Sequence, residues 1–174
     1  MVATAARATA RFYPTRIDLP QTVRAQVVDL LNQTLAASVD LKTQTKQAHW
    51  NVKGKDFFQL HELFDEMASE IEEYVDMVAE RVTALGATAL GTARMASAAS
   101  ILPEYPVDAV DGEDHVTALA ERYATYGKHI RAAIDTTDEL GDADTADLYT
   151  EISRTIDKRL WFLEAHLIQK ADLT

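Results

Sequence analysis

The chain has 174 residues, of which 28 are acidic and 17 are Lys or Arg, so its net charge is −11 with neutral histidines. This length suits one domain with its own hydrophobic core, and an apolar content of 47% argues against a disordered chain. The absence of cysteine excludes a disulfide framework, a thiolate nucleophile and cysteine-ligated zinc or iron–sulfur sites. We find no apolar stretch that could span a bilayer and no signal-peptide pattern, so we expect a cytoplasmic protein without membrane contact.

The first twenty residues differ in charge from the rest of the chain. Three arginines against one aspartate give residues 1–20 a charge of +2, which leaves −13 for the remainder. The segment contains Pro14 and Pro20 and has no helical period. We therefore predict a flexible N-terminal tail over residues 1–20 and a single domain over residues 21–174. Such a tail is either an ordinary chain end or a basic arm that contacts DNA phosphates.

Apolar residues at helical spacing predict two long helices in the first half of the domain. The first runs from Gln21 towards His49 without Pro or Gly, with Val23, Val27, Leu30, Leu31 and Leu35 on one face. Gly54 is placed to end it, and Asp56 is placed to cap the next helix. The second helix ends at Gly86, and its apolar stripe comprises Phe57, Leu60, Phe64, Met67, Ile71, Val75, Val78, Val82 and Leu85.

Residues 86–110 are rich in small residues and proline, which predicts a long connection across the body with a short helix around Ala93–Ala99. A third helix follows Asp111 and Asp114, and its inward residues are Val116, Leu119, Tyr123, Ile130 and Ile134.

A fourth helix starts at about Asp144, after a turn at Gly141. Its inward residues are Tyr149, Ile152, Ile156, Leu160, Leu163 and Leu167. Four long amphipathic helices with two short links and one long crossover predict an all-α fold. The expected architecture is a four-helix bundle of ferritin-like connectivity, with a short helix in the connection between the second and third long helices.

Two pairs of polar residues lie beside the apolar stripe of the second helix. His61 and Asp65, and likewise Asp76 and Glu80, are four residues apart, so the side chains of each pair can meet. An imidazole with carboxylates suits iron, manganese or zinc. The two pairs are separated by roughly 16 Å of helix, so one chain cannot join them at one metal. Two copies packed antiparallel can do so, with His49 in reach of the His61 end; the alternative is an ordinary solvated acidic face.

A di-iron site inside the bundle is the competing arrangement, and it requires Glu-x-x-His pairs on two helices. None of the five histidines has Glu three residues before it. The residues found there are Lys46, Phe58, Gly112, Tyr126 and Leu163. The sequence therefore disfavours an interior site.

Three segments resemble the Dps family, the DNA-binding proteins from starved cells, also called mini-ferritins. They are His49-Trp50-Asn51-Val52-Lys53-Gly54, His61-Glu62-Leu63-Phe64-Asp65 and Asp76-Met77-Val78-Ala79-Glu80-Arg81. The resemblance covers nearly everything after residue 20, and it continues through Tyr105-Pro106, Asp144-Thr145-Ala146-Asp147 and Leu160-Trp161-Phe162-Leu163-Glu164.

This resemblance implies a hollow shell of twelve copies with a ferroxidase site between subunits related by a two-fold axis. The implied ligands of two iron ions are His49, His61 and Asp65 from one chain and Asp76 and Glu80 from its partner. The implied reaction oxidises Fe(II) with hydrogen peroxide as the preferred oxidant, or with oxygen, and stores ferric mineral in the shell. Zinc is a substitute metal for such ligands. We therefore expect an iron-storage and detoxifying ferroxidase that protects against oxidative damage.

Two further acidic sets have a functional and a plain interpretation. Glu62 and Glu66 lie further round the second helix and, by resemblance, face the shell interior, where they are candidates for mineral nucleation; a solvated face is the alternative. Asp142 and Asp147 are candidates for an acidic pore for iron uptake. Asp142 or Asp144 can instead cap the fourth helix.

The charge of the chain bears on DNA binding. The tail has no lysine, since the first lysine of the sequence is Lys42, and the acidic body repels DNA. We therefore expect weak, salt-sensitive DNA association or none. The alternative function is a DNA-compacting structural protein with secondary iron chemistry, which would associate with the nucleoid. His115, His129 on a polar face, and His166 are expected to be surface or packing residues.

Overall fold

The computed structural model describes residues 9–168, so part of the predicted tail, residues 1–8, lies outside the described residues. The helices are α1 (Gln21–Asn51), α2 (Phe57–Ala84), α3 (Ala93–Ala99), α4 (Gly112–Glu139) and α5 (Ala143–Leu167). The hairpin partners α1 and α2 pack along each other, as do α4 and α5, and α3 contacts α1. The predicted four-helix bundle with a short helix in its crossover is confirmed.

The helix ends follow local sequence signals. Gly54 and Gly141 have φ of 102° and 78° at the turns where α1 and α4 end, as predicted. Asp56 is the N-cap residue of α2, but its side chain makes no capping hydrogen bond. The third long helix starts two residues before Asp114, because Asp111 and Asp114 form a reciprocal capping box around its first turn.

The core lies along the faces that the apolar spacing predicts, and most of the predicted inward residues are buried. Those left partly exposed are Val23, Leu30, Val75, Ile134, Leu160 and Leu167. Phe57 is the exception, with 44% of its surface exposed, because it is the first residue of α2 and lies at the corner before the stripe passes under α1.

The N-terminal segment is packed for part of its length, which differs from the flexible tail predicted over residues 1–20. The Tyr13 N–H donates to the Gly86 carbonyl at 2.7 Å, and the Thr88 N–H donates to the Arg11 carbonyl at 3.0 Å. The side chains that pack against the core are Ala10, Phe12, Ile17 and Leu19. Gly86 has φ of +81°, and a Cβ there would lie 2.8 Å from the Tyr13 carbonyl oxygen, so this close approach requires glycine.

Hydroxyl groups cross the centre of the bundle. Three fully buried tyrosines of α4 and α5 bond to hydroxyls of α1, in the pairs Tyr123–Thr45 (3.3 Å), Tyr126–Ser38 (2.7 Å) and Tyr149–Thr34 (2.9 Å). His129 Nε2 also lies 2.8 Å from the Thr34 hydroxyl. His129 therefore faces the core hydroxyls rather than the polar face on which the sequence places it, and burial lowers its pKa.

Candidate metal centre

His49 and His61 face each other across the turn that joins α1 to α2. His49 Nδ1 lies 2.8 Å from the His61 carbonyl oxygen, and His61 Nδ1 lies 2.9 Å from the His49 carbonyl oxygen. The two rings are stacked, with centroids 3.8 Å apart and planes inclined by 21°. This reciprocal bonding fixes both imidazoles in position.

The same hydrogen bonds determine which nitrogen of each ring is available to a metal. A backbone carbonyl can only accept, so Nδ1 of His49 and of His61 must be the donor. In the neutral form each ring then carries its lone pair on Nε2. A backbone carbonyl bonded to the second ring nitrogen is a usual support for a metal-binding histidine. The pair therefore presents two oriented Nε2 ligands.

Asp65 lies one helical turn after His61, as the spacing predicts, and its carboxylate is held by Lys46 of α1. The Lys46 ammonium donates to Asp65 Oδ1 at 2.5 Å. This hydrogen bond is the main reason that the pKa of Asp65 lies below its usual value, and the nearby histidines lower it further. The Asp65 side chain is nevertheless 51% exposed.

Aromatic residues flank the histidines in the chain, and one of them contacts His61. The Lys46 ammonium lies 5.9 Å from the centre of the Trp50 ring, and the Phe57 ring lies 5.1 Å from His61. Trp50 is 67% exposed and Phe58 is 69% exposed. Large apolar side chains exposed together are typical of a surface that another molecule covers.

Asp76 and Glu80 lie exposed near the far end of α2. Within residues 9–168 no group of three or more metal-ligating side chains is close enough to hold an ion. The structure thus keeps the pair His61 and Asp65 apart from the pair Asp76 and Glu80 within one chain, as the separation along the helix requires.

The candidate nucleation residues line an open cleft beside Asp65. This cleft has a volume of about 340 Å³, and its lining residues are Glu62, Asp65, Glu66, Ser69, Glu70 and Arg159. The buried Arg159 binds Glu70 through two contacts of 2.6 and 2.7 Å and approaches Glu66 at 3.4 Å. Glu62 and Glu66 remain exposed, as a nucleation face requires.

The candidate pore residues have different environments. Asp142 is 2% exposed, caps α5 through the Thr145 N–H, and pairs with Arg81 at 2.6 Å. Its carboxylate is therefore used inside the chain, and of the two alternative caps it is Asp142, not Asp144, that caps the helix. Asp147 is exposed.

Comparison with known proteins identifies the family. The family model described as a ferritin-like domain matches residues 28–171. The DNA protection during starvation protein of Agrobacterium fabrum is 46% identical over 159 residues, which cover 91% of this chain and 98% of that protein. The chain belongs to the Dps family of ferritin-like proteins.

Solved structures of Dps proteins agree with this membership. DpsC from Streptomyces coelicolor superposes with a TM-score of 0.87 at 31% identity, covering 91% of this chain and 93% of that one. The Dps protein of Vibrio cholerae O1 has a TM-score of 0.84 at 27% identity, covering 91% and 99%, and is described as a ferritin-like diiron-carboxylate protein. Among the helices of residues 9–168, none is long and apolar enough to cross a membrane.

Sequence reasoning missed the cations of this Dps chain that bind the acidic groups. They are Lys46 at Asp65, Arg81 at Asp142 and Arg159 at Glu70. Each contact joins two different helices or a helix and a turn, so no local spacing signals it. The available sequence signal is the position of Lys46 three residues before His49, which puts a cation close to a candidate ligand on the same helix.

Proposed function

We propose that this Dps-family chain oxidises Fe(II) at a site shared by two copies and stores the ferric product inside a shell of twelve copies. The observation that carries the proposal is the reciprocal hydrogen bonding of His49 and His61, which leaves both Nε2 atoms available, with Asp65 one helical turn after His61. The ligands that would complete a site are missing around it, while Asp76 and Glu80 lie exposed on the same helix. A second copy in antiparallel contact supplies the missing carboxylates.

Each residue has a distinct role in this proposal. His49 and His61 hold Fe(II) through neutral imidazoles, and Asp65 binds it once Lys46 has moved away. The partner's Asp76 and the partner's Glu80 close the site. Carboxylates stabilise Fe(III) over Fe(II) because of its higher charge, which favours oxidation of bound iron. Zinc can occupy the same ligands without redox chemistry.

Hydrogen peroxide is the proposed oxidant, with oxygen as the alternative. Two Fe(II) ions supply one electron each, and one peroxide takes both electrons and two protons to give two water molecules. Passing both electrons in one event avoids the hydroxyl radical that a one-electron reduction of peroxide by a single Fe(II) would give. We infer that removal of iron and peroxide together is how the chain protects DNA, the role that the name of its Agrobacterium relative describes.

Exposed carboxylates outside the ligand set have two proposed roles, which are nucleation of the ferric mineral and entry of iron through a pore. We propose that Glu62 and Glu66, which line the cleft beside Asp65, nucleate the mineral. Asp147 remains our candidate for the pore. Asp142 acts through the fold instead, because its carboxylate is paired with Arg81.

The test is anaerobic loading with Fe(II) followed by peroxide, with Fe(III) formation monitored by absorbance. We expect oxidation faster than in buffer, and a fall to the buffer rate in His61→Ala and in Glu80→Ala. The matched control is Glu72→Ala, an exposed carboxylate of the same helix that pairs with Lys42. Wild-type rates in both ligand variants would refute the assignment.

Mixing the two inactive variants tests whether the site is shared. A dimer of one His61→Ala chain and one Glu80→Ala chain has one site with both defects and one site with none. Co-refolding equal amounts should therefore recover about one quarter of the wild-type activity. A site within one chain would give no recovery. Light scattering checks the shell, because a monomer would leave every site incomplete.

DNA compaction is the alternative function, and no feature of residues 9–168 favours it over iron oxidation. We propose a cytoplasmic location with little association with the nucleoid. A gel shift at moderate salt should show weak binding or none, in line with the net charge of −11.

A further inference from the structure

Tyr105 and His115 form a hydrogen-bonded pair where the crossover connection meets the first turn of α4. The Tyr105 hydroxyl lies 2.6 Å from His115 Nδ1, and the two ring planes are inclined by 18°. His115 is 1% exposed, whereas Tyr105 is half-buried and lines an open groove of about 630 Å³ beside α1 and α3. Neither residue belongs to the proposed iron site.

The protonation of this pair follows from its surroundings. Burial lowers the pKa of His115 and raises the pKa of Tyr105, so both groups are neutral at pH 7. A phenol that donates to Nδ1 leaves the ring hydrogen on Nε2, and this atom has no hydrogen-bond partner within residues 9–168. The Asn51 backbone lies close enough to His115 to raise its pKa, and the Asn51 carbonyl also accepts from Lys53 at 2.9 Å.

The charges around His115 partly offset the burial that lowers its pKa. Asp114 and Asp111 raise the pKa of His115, as does the Asn51 backbone, whereas Lys53 lowers it. The ring can therefore hold an additional proton when Tyr105 releases one. On the other side, the Arg122 guanidinium lies 5.7 Å from the centre of the Tyr105 ring.

We propose that Tyr105 and His115 are a redox pair that quenches oxygen-centred radicals by giving up one electron and holding one proton. The Tyr105 O–H bond breaks, its proton forms an N–H bond at His115 Nδ1, and its electron reduces a hydroxyl radical. That radical takes a proton from solvent and becomes water. Tyr105 is left as a neutral tyrosyl radical and His115 as an imidazolium.

This activity differs from the two-electron oxidation of iron and rests on the proposed function only for the source of the radical. One-electron reduction of peroxide by Fe(II) yields hydroxyl radical close to the iron site. His115 lies close to the Asn51 backbone, two residues after the proposed ligand His49 in the chain. Tyr105 also faces the groove, where a radical from solution can reach it.

The experiment uses the full chain with two oxidant sources. One arm mixes the protein with Fe(II) and peroxide; the other flashes iron-free protein with tris(bipyridine)ruthenium(II) and persulfate. Electron paramagnetic resonance of freeze-quenched samples should show a tyrosyl radical that Tyr105→Phe removes. The matched control is Tyr74→Phe, because the Tyr74 hydroxyl pairs with the Thr155 hydroxyl at 2.7 Å and with no imidazole of residues 9–168. That variant should keep the radical.

His115→Gln separates a redox role from a packing role. A glutamine oxygen can accept the tyrosine hydrogen bond but cannot hold the proton, so the radical yield should fall by roughly tenfold or more. If that variant does not fold, Tyr105→Phe, which keeps the ring, still tests the pair. In addition, labelling with ring-deuterated tyrosine must narrow the electron paramagnetic resonance signal of the wild-type protein.

Several results would overturn the proposal: no tyrosyl radical in either arm, a wild-type signal in Tyr105→Phe, or a wild-type yield in folded His115→Gln. A radical in the ruthenium arm alone would support the pair and show that the reaction of Fe(II) with peroxide releases no radical that reaches it.

Discussion

Lys46 is the residue whose replacement most directly tests the electrostatics of the iron site. Its ammonium occupies one oxygen of Asp65 at 2.5 Å, so a metal that uses this carboxylate must displace it. We predict that Lys46→Met increases the affinity of the assembled protein for a divalent ion, because that displacement is no longer needed. Methionine keeps the length of the side chain without its charge.

The magnitude follows from the exposure of the pair. The side chains of Lys46 and Asp65 are 27% and 51% exposed, so the contact is a surface ion pair rather than a buried one. Such pairs contribute about 0.2–1 kcal/mol. Removing this contribution from the metal-free state should tighten binding by about 1.5- to 5-fold. Higher salt should reduce the difference between the two proteins, because salt already weakens the wild-type pair.

Calorimetric titration with Zn²⁺, a redox-inert substitute, measures this effect. The matched control is Lys42→Met, since Lys42 lies one turn earlier on α1 and pairs with Glu72 instead of a proposed ligand. The pKa of Asp65 should return towards its ordinary value of 3.8 in Lys46→Met, so the gain in affinity should shrink as protons compete near that pH. Unchanged affinity in Lys46→Met, or an equal gain in the control, would refute this account.

Three further predictions concern stability. Deleting residues 1–19 should lower the free energy of unfolding in urea by about 2–4 kcal/mol more than deleting residues 1–8, because only the longer deletion removes the packed segment; equal losses would contradict the packing. Asp142→Ala should cost about 2–4 kcal/mol, since it removes a helix cap and leaves the largely buried Arg81 with only a 3.8 Å contact to the exposed Asp144 as its ion pair; thermal melting checks it. The pKa of His115 lies below 6.5, so the unfolded chain takes up a proton first and stability should fall as the pH drops below that value. His115→Gln should flatten this decline in melting temperature.

The bundle was predictable because its signals are local. Apolar residues repeat with the helical period, and glycines stand at the positions where φ is positive, so the crossover helix over Ala93–Ala99 and the ends at Gly54 and Gly141 are confirmed. The packed N-terminal segment carries no such period, because its contacts with residues 86–88 are backbone pairing between distant parts of the chain. Sequence spacing cannot reveal that kind of pairing.

The candidate site was predictable as a set of residues but not as an arrangement. The spacing of His61 and Asp65 on one helix fixes their proximity. The exchange of hydrogen bonds between His49 and His61 depends on how the turn folds back, and the contact of Lys46 with Asp65 depends on the packing of α1 against α2. The first feature determines that Nε2 of each histidine is available to a metal, and the second places the Lys46 ammonium in competition with a metal for Asp65. Both properties affect metal binding directly.

The packing at the centre of the bundle explains why we place the proposed iron chemistry at its surface. A ferritin-like interior site would need carboxylates and imidazoles pointing inward from facing helices. Here the three fully buried tyrosines of α4 and α5 occupy the interior, and their hydroxyls form hydrogen bonds with hydroxyls of α1. Among residues 9–168 the buried acidic and imidazole side chains are Asp142 and His115, one in the α4–α5 turn and the other at the start of α4. Because the described residues hold no interior ligand set, our proposal places the two iron ions on exposed ligands of α1 and α2, where a second copy covers the half-sites and makes them a protected centre.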